Sequence, residues 1–349
     1  MFEIRRYEEK DALALSEFIA CAYDSSYFLN DPSYRSWMYH DHPLHDTPSS
    51  YTAYVALSDN KVIGFQGRIP VEIYLQGRIA RGSFFANLMV RPQYRGRGLG
   101  LKLVGLAMKE TQNSIFIGSN DNWYPMMAHF GINTFDGEMM KRAVYLLDDD
   151  SLAGWNIRSI FNKTPARALP IASNILRIKF PDELDETLWP SVAARYGIAT
   201  NRTLSYLGWR FFRHPRNDYH VLTSADRERP RAVCVIRLER AGDQKVGRIV
   251  DAWGEQDGLL FLLPHALSYL KGLGVCLADF ICTQTPDKAA FDSAGFHWLE
   301  KPQAIPYLFN PVELRDRWHE NVGIRLDTDN GEPAFNDLYF VKADSDRDR

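Results

Sequence analysis

The sequence predicts an α/β (α+β) protein built as two similar domains, each a mixed, mostly antiparallel sheet flanked by helices. Three observations carry this. The chain has 349 residues, large for one hydrophobic core and comfortable for two. Its hydrophobic content of 45% and charged content of 24% are those of an ordinary globular protein. Strand-like and helix-period runs alternate, and the second half repeats the first in outline. The expected organisation is a first domain over 1–147, a linker packed between domains over 148–186, and a second domain over 187–349.

In chain order, 2–5 alternates like a first strand, and Asp11 is a suitable N-cap for a helix running to Ala22. A polar and aromatic stretch over 23–50 holds Trp37, His40, His42 and His45. Strands are expected over 51–57 and 61–69, then over 71–75, which turns at Gln76-Gly77 and returns through 78–80. The run 84–90 carries no charge and reads as a strand, and beyond it Leu99, Leu103, Leu106 and Ala107 recur at helical spacing. A short strand over 114–118, a short helix over 122–130 stopped by Gly131, and a strand over 140–147 complete the first half. Between the halves, 151–160 is expected to be helical, and 165–180 is a short basic, apolar run. Strands over 219–222, 232–239 and 246–252 then lead into an amphipathic helix carrying Leu259, Leu262, Leu263, Ala266, Leu267 and Leu270. A strand over 275–282 and a helix over 287–294 follow.

A formal net charge of −3 and the lack of a basic stripe argue against a nucleic-acid partner. Cys21, Cys234, Cys276 and Cys282 have no metal-ligand spacing and are expected to be reduced and structural, and Asp148-Asp149-Asp150 reads as a solvated turn, so no metal is expected. The first residues lack the apolar segment of a secretory signal, and no uncharged stretch is long enough to span a bilayer. The expected location is cytoplasmic, with no membrane partner.

The most informative stretch is Arg95-Gly96-Arg97-Gly98-Leu99-Gly100, between the charge-free strand and the helix. Glycines let backbone approach a ligand closely, and a helix start offers unpartnered N–H groups and the positive end of its dipole. Together these suit a phosphate or diphosphate, with Arg95 and Arg97 adding charge. The spacing is neither that of a nucleotide P-loop, which needs a Lys-Ser/Thr, nor the Gly-x-Gly-x-x-Gly of dinucleotide folds. Arg95, Gly98 and Gly100 fill Arg/Gln-x-x-Gly-x-Gly/Ala, and the run resembles the coenzyme A loop of the GNAT acyltransferase superfamily; Val90-x-Pro92-x-Tyr94 resembles its usual lead-in. The element order over 1–147 is also that of the family.

The resemblance implies an acyl-CoA co-substrate, acetyl-CoA or another, its diphosphate on the amides of residues 95–100. Leu88, Met89 and Val90 would offer backbone groups to the pantetheine arm and acyl carbonyl. It also implies acid and base positions, two of which are altered. The frequent glutamate three residues before the valine is Asn87 here, able to orient an amine or a water but not to take its proton. In the family's Asn-x-x-x-x-x-x-Tyr-x-Lys-x-Gly-Phe stretch, the frame from Asn120 puts Met127 at the tyrosine place and His129 at the lysine place, where it could meet a phosphate. Tyr124, one helical turn earlier, is the candidate replacement acid, with a structural tyrosine as the alternative. His42, with His40 and His45, lies where the acceptor pocket is often lined, and histidine has the unperturbed pKa best placed for a general base.

In the second half, the turn over 251–258 lacks the glycine pattern and carries Asp251, Glu255 and Asp257, which suggests a degenerate GNAT-like domain that lost its cofactor site and helps build the acceptor pocket. The segment over 206–215 resembles one found in paired-GNAT proteins of surface-glycan genes; it suits a sugar or an anionic acceptor, or else anchors the contact between domains. The expected function is acyl transfer to a primary amine of a small molecule, such as an amino sugar of glycan assembly. A Fem-type aminoacyl transferase and a non-catalytic acyl-CoA-binding module are the alternatives.

Overall fold

The computed structural model describes residues 2–22, 27–45, 50–119, 123–148, 169–171, 174–225, 231–241, 243–284, 286–299, 321–328 and 331–344. The N-terminal half contains β1 (Glu3–Arg6), α1 (Ala12–Ala22), α2 (Pro32–Tyr39), β2 (Ala53–Ser58), β3 (Lys61–Leu75), β4 (Arg78–Val90), α3 (Leu99–Met108), β5 (Asn113–Ser119), α4 (Tyr124–His129), β6 (Asn133–Phe135) and β7 (Lys141–Leu146). Then come β8 (Ile175–Ile178), β9 (Ile198–Thr200), β10 (Tyr219–Ser224), β11 (Ala232–Ala241), β12 (Gln244–Gly254), β13 (Leu277–Cys282), β14 (His297–Trp298), β15 (Asn321–Arg325) and β16 (Leu338–Tyr339). The main helices among these later strands are Gln256–Gly272 and Lys288–Ala294.

Local chemistry explains several of these boundaries. Helix α2 begins where Asp31 accepts a hydrogen bond from Ser33 N and Pro32 takes the first turn. Asp11 does not cap α1. It lies in the 3₁₀ turn Glu9–Asp11 just before the helix, where it accepts from the Arg5 guanidinium at 2.6 and 2.7 Å. Burial alone would raise its pKa, but the hydrogen bonds from Arg5 outweigh that and hold the carboxyl below its usual range. The expected strands 61–69 and 71–75 are one long strand. Pro70 is tolerated because pairing with β2 stops at Gly67 and pairing with β9 starts at Ile73, so its missing N–H falls in the gap.

The strands form two sheets. The first has the order β1-β2-β3-β4-β5-β15-β6, with β9 and β16 beside the far end of β3; the second has the order β14-β7-β13-β12-β11-β10-β8. The halves therefore exchange a strand. β7 pairs with β13 and β14, whereas β15 lies between β5 and β6. This corrects the boundary at 147: the strand ending there belongs to the second sheet, and the first sheet is completed by residues 321–325. Within the expected linker, β8 is an edge strand of the second sheet, and the helix expected over 151–160 lies outside the described residues.

The two sheets repeat one another in detail. β4 and β5 pair in parallel only over Gly82–Phe85 and Asn113–Phe116, and β12 and β13 only over Val246–Ile249 and Leu277–Phe280. In both cases the first strand runs on past the last pair, over 86–90 and over 250–254, so the sheet opens into a V. One face of the first sheet packs on α3 through Leu99, Leu103 and Ala107. The other face carries α1 and α2 and merges into a core continuous with the second half.

Candidate functional site

The site lies where β4 leaves β5. After Val90 the chain makes a 3₁₀ turn, Pro92–Tyr94, and then bends at Gly96 (φ 71°) and Gly98 (φ 74°) into α3. A Cβ on either glycine would meet nothing within 4 Å, so the left-handed backbone, not crowding, calls for glycine there. No side chain caps α3, and its first turn carries no acidic residue. The orphan N–H groups and the positive dipole end are therefore left for a ligand. Arg95 is exposed, and its Nε donates to Val90 O at 3.0 Å, folding the side chain back over the strand end.

A cleft of about 800 Å3 opens there, between β4, the loop and α4. Leu88, Met89, Val90, Arg95, Gly96, Gly98, Leu99, Gly100 and His129 line it, all expected from sequence. Tyr94, Leu101, Trp123, Pro125 and Met126 also line it and were not anticipated, although Trp123 and Met126 at i and i+3 bracket the helix face concerned. Arg97 is exposed and is not among the lining residues. Asn120 lies outside the described residues.

The proposed acid–base positions fare differently. Tyr124 is half-buried and is not a lining residue, although its neighbours on α4 are. Met127 is buried in the core of the first sheet and packs against Gly323 of β15, turned away from the cleft. His42 is buried apart from the cleft, with its ring edge on Trp209 (centroids 4.3 Å apart) and Nδ1 accepting from Leu44 N at 3.0 Å. Burial, reinforced by nearby His45 and Arg68, pulls its pKa down to about 3, so the ring is neutral and weakly basic. This corrects its expected place as base: the chain spends His42 on packing. Among the described residues no cluster of His, Cys, Asp and Glu could hold a metal.

Asn87 is not among the lining residues; it directly precedes Leu88 and lies in a β-bulge. Phe65 pairs with Met89 and Gly67 with Ala86, so Gln66 faces both Asn87 and Leu88. The Asn87 amide donates to Tyr39 Oη at 2.9 Å and accepts from Tyr27 Oη at 3.2 Å.

At the matching place in the second half, protein fills the V. Gly254 N donates to Tyr196 Oη, Tyr196 Oη donates to Asp287 at 2.7 Å, and Arg195 bonds both Gly254 O and Asp287. One residue, Glu255, separates β12 from the helix Gln256–Gly272, and it pairs with Arg231. Asp251 is buried and takes two hydrogen bonds from Arg202 at 2.8 and 3.0 Å. The aromatic segment over 206–215 anchors the two halves. Trp209 stacks on Trp37 at 4.7 Å, and each indole Nε1 donates to the other residue's carbonyl, at 2.8 and 3.0 Å. Arg210 is buried, donating to Ala343 O and Tyr219 Oη.

The family model described as Acetyltransferase (GNAT) family matches residues 16–124, which run from within α1 to the first residue of α4 and include the whole loop. Residues 16–124 match the GNAT family. The fold also has solved counterparts. A GCN5-related N-acetyltransferase from Anabaena variabilis is 12% identical over 80% of this chain and 66% of its own, with a TM-score of 0.54. Saccharomyces cerevisiae N-myristoyltransferase, solved with bound myristoyl-CoA, is 11% identical over 93% of this chain and 82% of its own, with a TM-score of 0.56. An Enterococcus faecalis protein of unknown function, described as a probable N-acyltransferase, is 12% identical over 81% and 65%, at 0.54. The chain thus spans about two thirds of the length of the bacterial proteins, and at these identities the likeness is one of fold. No curated protein matches the chain in sequence.

Proposed function

We propose that the protein is an acyl-CoA-dependent N-acyltransferase that moves an acetyl or similar acyl group to a primary amine of a small molecule. The observation that carries this is the cleft: a left-handed double-glycine bend opens onto an uncapped helix start, beside a strand edge that its neighbour has left. Backbone N–H groups of residues 95–100 hold the diphosphate, Arg95 adds charge, and His129 stands on the opposite wall within reach of a phosphate. The open edge of β4 over residues 86–90 accepts the pantetheine arm and polarises the acyl carbonyl. A neutral amine then forms the C–N bond as the C–S bond breaks; sulfur leaves with the electron pair, and the proton lost by nitrogen neutralises the thiolate.

The second half holds no second cofactor, since Tyr196, Arg195 and Asp287 fill its equivalent mouth. The segment over 206–215, which suggested a sugar acceptor, is spent on the contact between halves, so an amino sugar stands only as one member of the amine class. No acid is assigned to Tyr124. A second reading, acyl-CoA binding without turnover, is favoured by Met127 and His42 both being turned into packing. The discriminating experiment measures acetyl-CoA binding and thiol release with a panel of amines. Binding with amine-dependent thiol release supports the enzyme, and binding without release supports the module.

A further inference from the structure

We propose that Tyr27 and Tyr39 are positioning residues that fix the Asn87 amide for the acceptor amine; this rests on the acyltransferase reading above. Four described non-glycine residues have positive φ; Asp59, Asn60 and Gln76 lie in hairpin turns, and Asn87 (φ 58°) alone lies within a strand. Such backbone is costly and persists only where its surroundings fix it. Here they do. Gln66 is buried, and its Nε2 donates to Gly67 O and Ala86 O across the bulge at 2.6 and 3.0 Å. Tyr39 is buried on α2, and its phenol lies so close over β3 that a Cβ at Gly67 would overlap the hydroxyl. Gly67 thus seats Tyr39, and Tyr39 Oη accepts one Asn87 N–H.

A side-chain amide has two N–H donors and two acceptor lone pairs. Tyr39 takes one donor of Asn87, the Sδ of Met38 lies 3.9 Å from the same nitrogen, and Tyr27 takes one lone pair. The second lone pair of Oδ1 has no partner among the described residues. Asn87 is half-buried, and the next two residues, Leu88 and Met89, line the cleft. A neutral primary amine that donates one N–H to this oxygen keeps its own lone pair free to attack the thioester carbon. The amide removes no proton: it sets direction, and the two phenols fix its angle. An oriented amide at a glutamate's place thus makes chemical sense for an amine that arrives uncharged.

The test is a double-mutant cycle on the full-length protein with acetyl-CoA and its best amine, reading kcat by thiol release and coenzyme A affinity by titration. Tyr39→Phe is expected to lower kcat about tenfold, as for one lost hydrogen bond to a partly buried group, with coenzyme A affinity unchanged. In an Asn87→Ala background the same substitution should cost nothing further, because Tyr39 acts only through that amide. Tyr27→Phe should behave alike with a smaller effect. Equal losses in both backgrounds, or a parallel loss of coenzyme A affinity, would show a merely structural role and overturn the proposal. A wild-type protein that binds coenzyme A yet releases no thiol with any amine would overturn the acyltransferase reading itself, and this inference with it.

Discussion

Among single residues, His42 shows how burial decides what a histidine can do. Its pKa of about 3 in the folded chain lies below its ordinary 6.5, so between these values the unfolded chain holds a proton that the folded chain excludes. Stability from this site is therefore complete above the ordinary value and is lost as pH falls through that window, by up to about 1.4 kcal/mol per pH unit. Melting temperatures taken from pH 7.5 down to 4.5 should fall less steeply for His42→Asn, whose amide can still accept from Leu44 N; parallel curves would remove His42 from the acid response. Three nearby histidines are visible in the sequence, but which one the Trp209 ring covers is a long-range fact that spacing does not carry. The glycines were more legible, because backbone demand is local. Even so, Gly98 is needed for its φ, whereas Gly100 has ordinary φ and its Cβ would meet Leu88 at 3.5 Å. Gly98→Ala should cost about 1–2 kcal/mol in urea unfolding and Gly100→Ala less than half of that; equal costs would contradict the left-handed bend.

For whole elements, legibility tracked how far the deciding contact lies along the chain. The strand, glycine turn and helix over 84–108 could be read directly, since each signal sits within a few residues of its effect. β7 could be read as a strand but not assigned to its sheet, because its alternation suits either one and its partner β13 lies over a hundred residues away. The segment over 206–215 was equally visible as aromatic, yet only the stacking of Trp209 on Trp37 decides between a ligand surface and an anchor. Replacing that anchor, Trp209→Ala, should cost about 3–5 kcal/mol in chemical denaturation, as for other large buried side chains. A loss below about 1 kcal/mol would return the segment to the surface. Breaking the buried Arg202–Asp251 pair with Asp251→Asn should cost a similar amount, because a fully buried guanidinium would lose its main counter-charge.

Across the whole molecule, the strand exchange binds the halves into one unit. Residues 1–147 alone would lack β15, leaving β5 and β6 without the strand between them, and would carry β7 without its sheet. That fragment should show no cooperative unfolding and poor solubility, while the full chain should unfold in a single transition by circular dichroism and tryptophan fluorescence; a folded, soluble fragment would contradict the interdependence. Of the two V-shaped openings, the second is closed by Tyr196, Arg195 and Asp287, and the first stays open at the glycine bend. The most direct test is a calorimetric titration of coenzyme A into the full-length protein and into an Arg95→Glu/Gly98→Asp variant that still unfolds in a single cooperative transition. The account predicts one site per chain, with affinity reduced at least a hundredfold in the variant; equal affinity in the two proteins would contradict it.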